Sequence, residues 1–272
     1  MLKTIVTAAL ISITSVASSQ FHSLQKLWET DTIIAVPESV LPQKDFLFIS
    51  LIDGGGWVAD GKGGVAKLTL EGKIIDMAWI TGLNAPKGFG RVGDKLYVAD
   101  MSEVIVINIE KGSIEKRIAI DSAQALNDIT TTGEGIVFVS DSRRGQIWRI
   151  ENDIPALYLQ NIRGVNGLKA VKDVLYIGAG KSLVKADHNK SIQTVVELPQ
   201  GIDGIEPIGN GDFLVTSWGG WIFYVYADGK FETLLETHAE KKNTADIGYD
   251  AERRIVYVPT FNGKTVVAYQ LK

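Results

Sequence analysis

Five stretches of the sequence put a carboxyl or carboxamide side chain ten or eleven residues ahead of a large residue in a short β-prone run. Glu38 stands so before Phe48, Asn127 and Asp128 before Phe138, Asn166 before Tyr176, Asp203 before Leu214, and Asp246 before Tyr257. A sixth run, anchored by Tyr97, has Lys87 at that distance, following Asn84-Ala85-Pro86. Carboxylates brought together in a low-dielectric setting repel one another unless a cation compensates. Oxygen donors with no Cys in the chain and no His at this offset suit a hard cation, Ca²⁺ or Mg²⁺, and Ca²⁺ best tolerates irregular geometry. A local reading competes: Asn166-Gly167 and Asp203-Gly204 are turn dipeptides, and Asn127-Asp128 suits an Asx-turn. Such residues also close a channel by hydrogen bonds through water. The shared register favours a common polar site, because the hairpin turns sit at a different offset, after the anchors.

The elements that would converge these residues repeat. The six anchors Phe48, Tyr97, Phe138, Tyr176, Leu214 and Tyr257 lie 38 to 49 residues apart. That period, about 42 residues, is the length of one four-stranded propeller blade. Gly/Asp turns precede several anchors (Gly93-Asp94, Gly133-Glu134-Gly135, Gly211-Asp212). A further alternating strand follows most of them, as in 146–150 and 221–225, and ends in a tight turn at Lys111-Gly112, Asn152-Asp153, His188-Asn189 or Asp228-Gly229. No amphipathic helical period of useful length intervenes. The chain therefore reads as all-β, a six-bladed β-propeller of four-stranded antiparallel blades. In such a blade the first strand lines the central channel, and the early acidic and amide residues fall at its start. The first unit carries about ten extra residues, coinciding with six glycines between 53 and 64. This Gly-rich segment reads as a long loop overhanging the channel, with Trp57 as a lid or stacking residue for a substrate, or as a solvent loop with no binding role.

Composition narrows the partners. The 272 residues carry 28 Lys and Arg against 32 Asp and Glu, a formal net charge of −4, with no basic cluster. Nucleic acid and anionic membrane are thus not the expected partners; a small-molecule ligand, or a protein partner, is. Without cysteine there is no disulfide, thiolate chemistry or Cys-based metal site. Residues 1–19 have the form of a cleaved export signal: Lys3, an uncharged apolar stretch from Thr4 to Ala17, and small residues to Ser19. That stretch is short for a membrane span. A single propeller domain of residues 20–272, periplasmic or secreted, is expected. Gly180-Lys181-Ser182 lacks the earlier glycine and following helix of a phosphate loop, and no Gly-x-Ser-x-Gly elbow is present.

Pro37-Glu38-Ser39, Leu126-Asn-Asp128 with Ser140-Asp141, Val165-Asn-Gly-Leu168 and Gly201-Ile-Asp-Gly204 occur in order, one to a blade. With these motifs the chain resembles the senescence-marker protein/gluconolactonase/luciferin-regenerating-enzyme (regucalcin-like) family. The resemblance implies a divalent metal, Ca²⁺ or Zn²⁺, held by Glu38, Asn166 and Asp203, with Asn127 near the substrate and hydrolysis of sugar lactones as the activity. It departs at two points. Ala125 stands where the sugar-lactone enzymes carry arginine, and Pro37 and Ser39 replace the glycines that flank the family's metal glutamate.

The function expected on this resemblance is a metal-dependent hydrolase of lactone-type esters. The metal would polarise the carbonyl, Asp203 would act as the catalytic base, and Asn127 would hydrogen-bond substrate or oxyanion. Asp128 and Asp246 are secondary candidates, for structural or supporting roles. The alternative is a non-catalytic propeller that binds a small ligand or a protein on one face.

Overall fold

The computed structural model describes residues 22–272, so the expected export signal lies outside the described residues. Twenty-four strands form six separate four-stranded sheets. Blade one contains β2 (Pro37–Pro42), β3 (Phe46–Leu51), β4 (Gly63–Thr69) and β5 (Ile74–Leu83), and blade two β6 (Pro86–Val92), β7 (Lys95–Asp100), β8 (Glu103–Asn108) and β9 (Ser113–Ala119). Blade three is β10 (Leu126–Thr131), β11 (Val137–Asp141), β12 (Gln146–Glu151) and β13 (Ile154–Leu159); blade four is β14 (Val165–Val171), β15 (Val174–Ala179), β16 (Ser182–Ala186) and β17 (Ile192–Glu197). Blade five is β18 (Ile205–Gly209), β19 (Asp212–Ser217), β20 (Trp221–Val225) and β21 (Phe231–Glu236). Blade six takes only β22 (Gly248–Asp250), β23 (Ile255–Pro259) and β24 (Val266–Leu271) from its own repeat. Its outermost strand is β1 (Leu24–Glu29), paired antiparallel with β24 from Leu24 opposite Leu271 to Glu29 opposite Val267. The six-bladed, all-β expectation is met, and the ring is locked by a strand from the other end of the chain.

The apolar runs that marked the repeats are second strands buried on both faces. Successive strand side chains point to opposite sides, so a strand between two blades must be apolar at every position. In β3, Leu47, Ile49 and Leu51 pack toward Tyr257, Val266 and Ala268 of blade six, while Phe48 packs toward Phe89, Leu96 and Val98 of blade two. Six apolar clusters of this kind fill the six gaps between neighbouring blades. All six anchors fall in second strands, and the four tight turns join third strands to fourth. Among the described residues, helix is limited to two short 3-10 turns, His238–Glu240 and Phe261–Gly263, and no helix is long and apolar enough to cross a membrane.

Candidate functional site

A bulge repeated in four blades sets the hub. The pairing of first and second strands slips between Pro37 and Val40, Pro86 and Phe89, Leu126 and Ile129, and Val165 and Leu168. The residues inside these bulges are Glu38-Ser39, Lys87-Gly88, Asn127-Asp128 and Asn166-Gly167. A bulge bends its strand and re-aims side chains, so the leading residue of each turns off the ladder at the channel end. In blades five and six, Asp203-Gly204 and Asp246-Ile247 lie immediately before β18 and β22. Second-strand hydroxyls brace the bulges: Ser50 Oγ accepts from Ser39 N at 2.8 Å, Ser140 Oγ from Asp128 N at 3.0 Å, and Thr216 Oγ1 from Gly204 N at 2.8 Å. Gly167 must be glycine here, since a Cβ would sit 1.9 Å from the Asp203 carbonyl oxygen of the next blade.

At the channel mouth this geometry gathers Glu38, Lys87 and Asp203, all buried, with half-buried Asn166 beside Asp203, and it buries Asn127 at the matching register of blade three. Asn166 Nδ2 donates to Asp203 Oδ1 at 2.5 Å, and Asn127 Nδ2 to Ser142 Oγ at 3.1 Å. Glu38 Oε2 and Asp203 Oδ2 are buried and have no hydrogen-bond partner. Lys87 is only 3% exposed. Its ammonium lies 4.6 Å from the Trp57 ring centroid and 5.8 Å from that of Phe261, and Trp218 packs edge-on against Phe261 at 5.4 Å. The Gly-rich segment places Trp57 against Lys87, although Gly63 and Gly64 already belong to β4. Val36 and Phe261, both in the left-handed region at φ +48° and +46°, flank this mouth; such a conformation in a β-branched residue marks strain held by its surroundings.

Burial is the main influence on every charge here. It pushes Glu38 up to about 8, against the opposing pull of Lys87 and with Asp203 and Asp246 adding to the rise. It raises Asp203 to about 6, moderated by the Asn166 hydrogen bond and Lys87. The same burial lowers the Lys87 ammonium, and Glu38, Asp203 and Asp100 oppose that shift. Two neighbouring carboxyls separated in this way form an acid and a base available together near neutral pH.

Deeper along the inner strands lies a second polar layer. Asp128 Oδ2 accepts from Leu168 N of blade four at 2.6 Å and its Oδ1 from Ile129 N at 2.7 Å. Asp246 Oδ2 accepts from Ser39 Oγ of blade one at 2.5 Å. Lys169 and Glu206 form an ion pair at 2.7 Å. Together they border a cavity of about 20 Å³, room for a single water. Of the residues singled out in the sequence, Asn166 bonds Asp203, Glu38 and Asp203 both act on Lys87, and Trp57 packs on Lys87, while Asn127 bonds Ser142 at the matching bulge of blade three. Asp128 and Asp246 instead tie adjacent blades.

A divalent metal at the mouth would meet a positive charge already in place. The mouth holds two carboxyl groups, Glu38 and Asp203, with the Asn166 amide bonded to Asp203, and the Lys87 ammonium acts electrostatically on both carboxyls. A divalent ion and the ammonium repel one another, so a metal here competes with Lys87 for the same carboxyl groups. Lys87 is the hub residue that sequence reasoning passed over: its offset was visible, but it read as the one blade lacking an oxygen donor. The histidines lie elsewhere. His22 stacks on Tyr224 at 3.8 Å, His238 stacks on Trp221 at 4.5 Å, and His188 borders a groove between blades three and four.

No family model matches the chain, and no curated protein matches it in sequence. Solved structures do match it over most of its length. A streptogramin B lyase superposes with a TM-score of 0.66 at 11% identity, over 93% of this chain and 98% of its own. A catalytically inactive histidine-to-alanine variant of virginiamycin B lyase from Staphylococcus aureus, solved with quinupristin, gives 0.65 at 16% identity, over 92% and 99%. The selenomethionine form of that lyase gives 0.62 at 13%, with the same coverage. At these identities the likeness is one of fold, and the chain shares the propeller of these lyases.

Proposed function

We propose that the hub is the active site of an enzyme that opens lactone-type esters of small molecules, such as sugar lactones, by acid–base hydrolysis. The observation that carries this reading is the pair of buried oxygens without partners, Glu38 Oε2 and Asp203 Oδ2, at the end of the channel where Lys87 also lies, with Asn127 buried at the matching register of blade three. A buried polar atom left unpaired is costly in the free protein and is satisfied when a ligand arrives. In the proposed reaction Asp203 takes a proton from water as the water oxygen attacks the ester carbonyl carbon. The Lys87 ammonium and the Asn127 amide stabilise the developing oxyanion. As the carbon–oxygen ester bond breaks, Glu38 gives its proton to the leaving alkoxide, and solvent returns a proton from Asp203 to Glu38. No histidine is needed. Trp57 offers an apolar face to the ring of the substrate. That neighbours of the same fold are lyases, one solved with quinupristin, supports a small-molecule ligand. The apolar stretch from Thr4 to Ala17 supports a periplasmic or secreted location.

The test is turnover of a panel of sugar lactones and quinupristin by the protein and by Asp203→Asn and Glu38→Gln. Each substitution is expected to lower kcat by about 10²–10⁴-fold. Activity that survives both changes overturns the proposal. Binding without turnover identifies the hub as a ligand-recognition site of a non-catalytic propeller.

A further inference from the structure

We infer that Lys87 is the resident cation of the hub, and that its ammonium supplies the positive charge a divalent metal would otherwise bring to this donor set. The position is built into the fold. Lys87 occupies the same bulge register as Glu38, Asn127 and Asn166, so the device that aims their oxygens at the channel aims its side chain there too. The residue after it is Gly88, where a Cβ would lie 2.7 Å from Asp128 Cα, so the inner strand of blade three presses against this bulge and fixes it.

The side chain is held as well as aimed. Trp57 from the long loop of blade one and Phe261 from the turn of blade six place their rings against the ammonium from two sides. A cation over an aromatic face is favoured, and more so when water is excluded. These rings come from separate blades, and Phe261 keeps a left-handed backbone to reach its place. Asp203 and Asp100 act on the buried ammonium as negative charges, and Glu38 adds to them when it gives up its proton. A metal would have to expel this cation or share the carboxylates with it.

The inference does not depend on the identity of the substrate, and its test does not read turnover. The purified full-length protein, prepared without chelator, is analysed for bound Ca²⁺, Mg²⁺, Mn²⁺ and Zn²⁺, and its unfolding midpoint is measured with EDTA and with each ion. Far less than one equivalent of metal, with a midpoint unchanged within about 1 °C, is expected. In Lys87→Met the two carboxylates lose their counter-charge. That variant is expected to melt lower in EDTA and to gain about 5 °C when Ca²⁺ or Mn²⁺ is added, a gain that a further Asp203→Asn change removes. A full equivalent of metal in the unsubstituted protein, stripped by EDTA with a fall in midpoint and lost in Glu38→Gln, overturns the inference. So does a Lys87→Met protein that melts like the parent and gains nothing from any ion. Should that variant fail to fold, the metal content and EDTA response of the unsubstituted protein decide alone. If the lactone panel is silent while these results hold, the ester reading fails and the internal cation stands.

Discussion

The channel holds two polar layers made of the same ingredients, carboxylates and one lysine, and they differ in how completely they are bonded. In the deeper layer both Asp128 oxygens accept backbone N–H groups, Asp246 accepts from Ser39, and Lys169 pairs with Glu206. At the mouth, Glu38 and Asp203 each keep one oxygen without a partner, and Lys87 rests on aromatic rings. A satisfied layer rigidifies, whereas an unsatisfied one is held ready for something that binds. Residue type alone does not separate the two; bonding does.

The contrast makes opposite demands on the two layers. The largest stability effect is expected from Asp128→Ala. It strips two buried N–H groups of their acceptor and should lower unfolding free energy in urea by about 3 kcal/mol, whereas Asp203→Asn should leave stability within about 1 kcal/mol of the parent. Equal losses at both positions would erase the distinction. Lys169→Met should cost about 2 kcal/mol by the same measurement: the half-buried pair with Glu206 is broken and a carboxylate is left uncompensated.

Stability should also depend on pH in an unusual direction. Glu38, Asp246 and Asp203 are held by burial near 8, 7 and 6, above their ordinary values of 4.5, 3.8 and 3.8. The folded state therefore binds protons more tightly than the unfolded one. Their contribution is fully present below the unfolded values and is lost as pH rises through the folded ones. The thermal midpoint is expected to rise as pH falls from about 8 to about 5, and Glu38→Gln should flatten the upper part of that slope. A midpoint that falls throughout this range contradicts the burial of these acids. The smallest effect belongs to Trp57→Ala, which should raise KM by about 10-fold or less while lowering the unfolding free energy by about 1 kcal/mol, since the Lys87 ammonium loses one of its two rings.

The sequence disclosed the ring and its axis because both follow from periodicity. Strands buried on two faces are continuously apolar, so Phe48, Tyr97, Phe138, Tyr176, Leu214 and Tyr257 stand out. A fixed count back reaches the bulge that opens the inner strand in four blades and the residues just ahead of that strand in the other two. The bonds from Asp128 to Leu168 and from Ser39 to Asp246 cross between blades, and no spacing within a blade reports them. The placement of Lys87 between Trp57 and Phe261 likewise needs three blades at once. Its positive charge broke the pattern of oxygen donors, and only the folded hub shows why that exception belongs there.

Sharing blade six between Leu24–Glu29 and the final strand has a consequence for biogenesis. The segment made early during translation has no sheet to join until β24 emerges. Closure is therefore a late, all-or-nothing step, and a product truncated before Val266 would leave the disc with an open seam and a bare apolar flank. Quality control would thus fall on full-length synthesis rather than on any single blade.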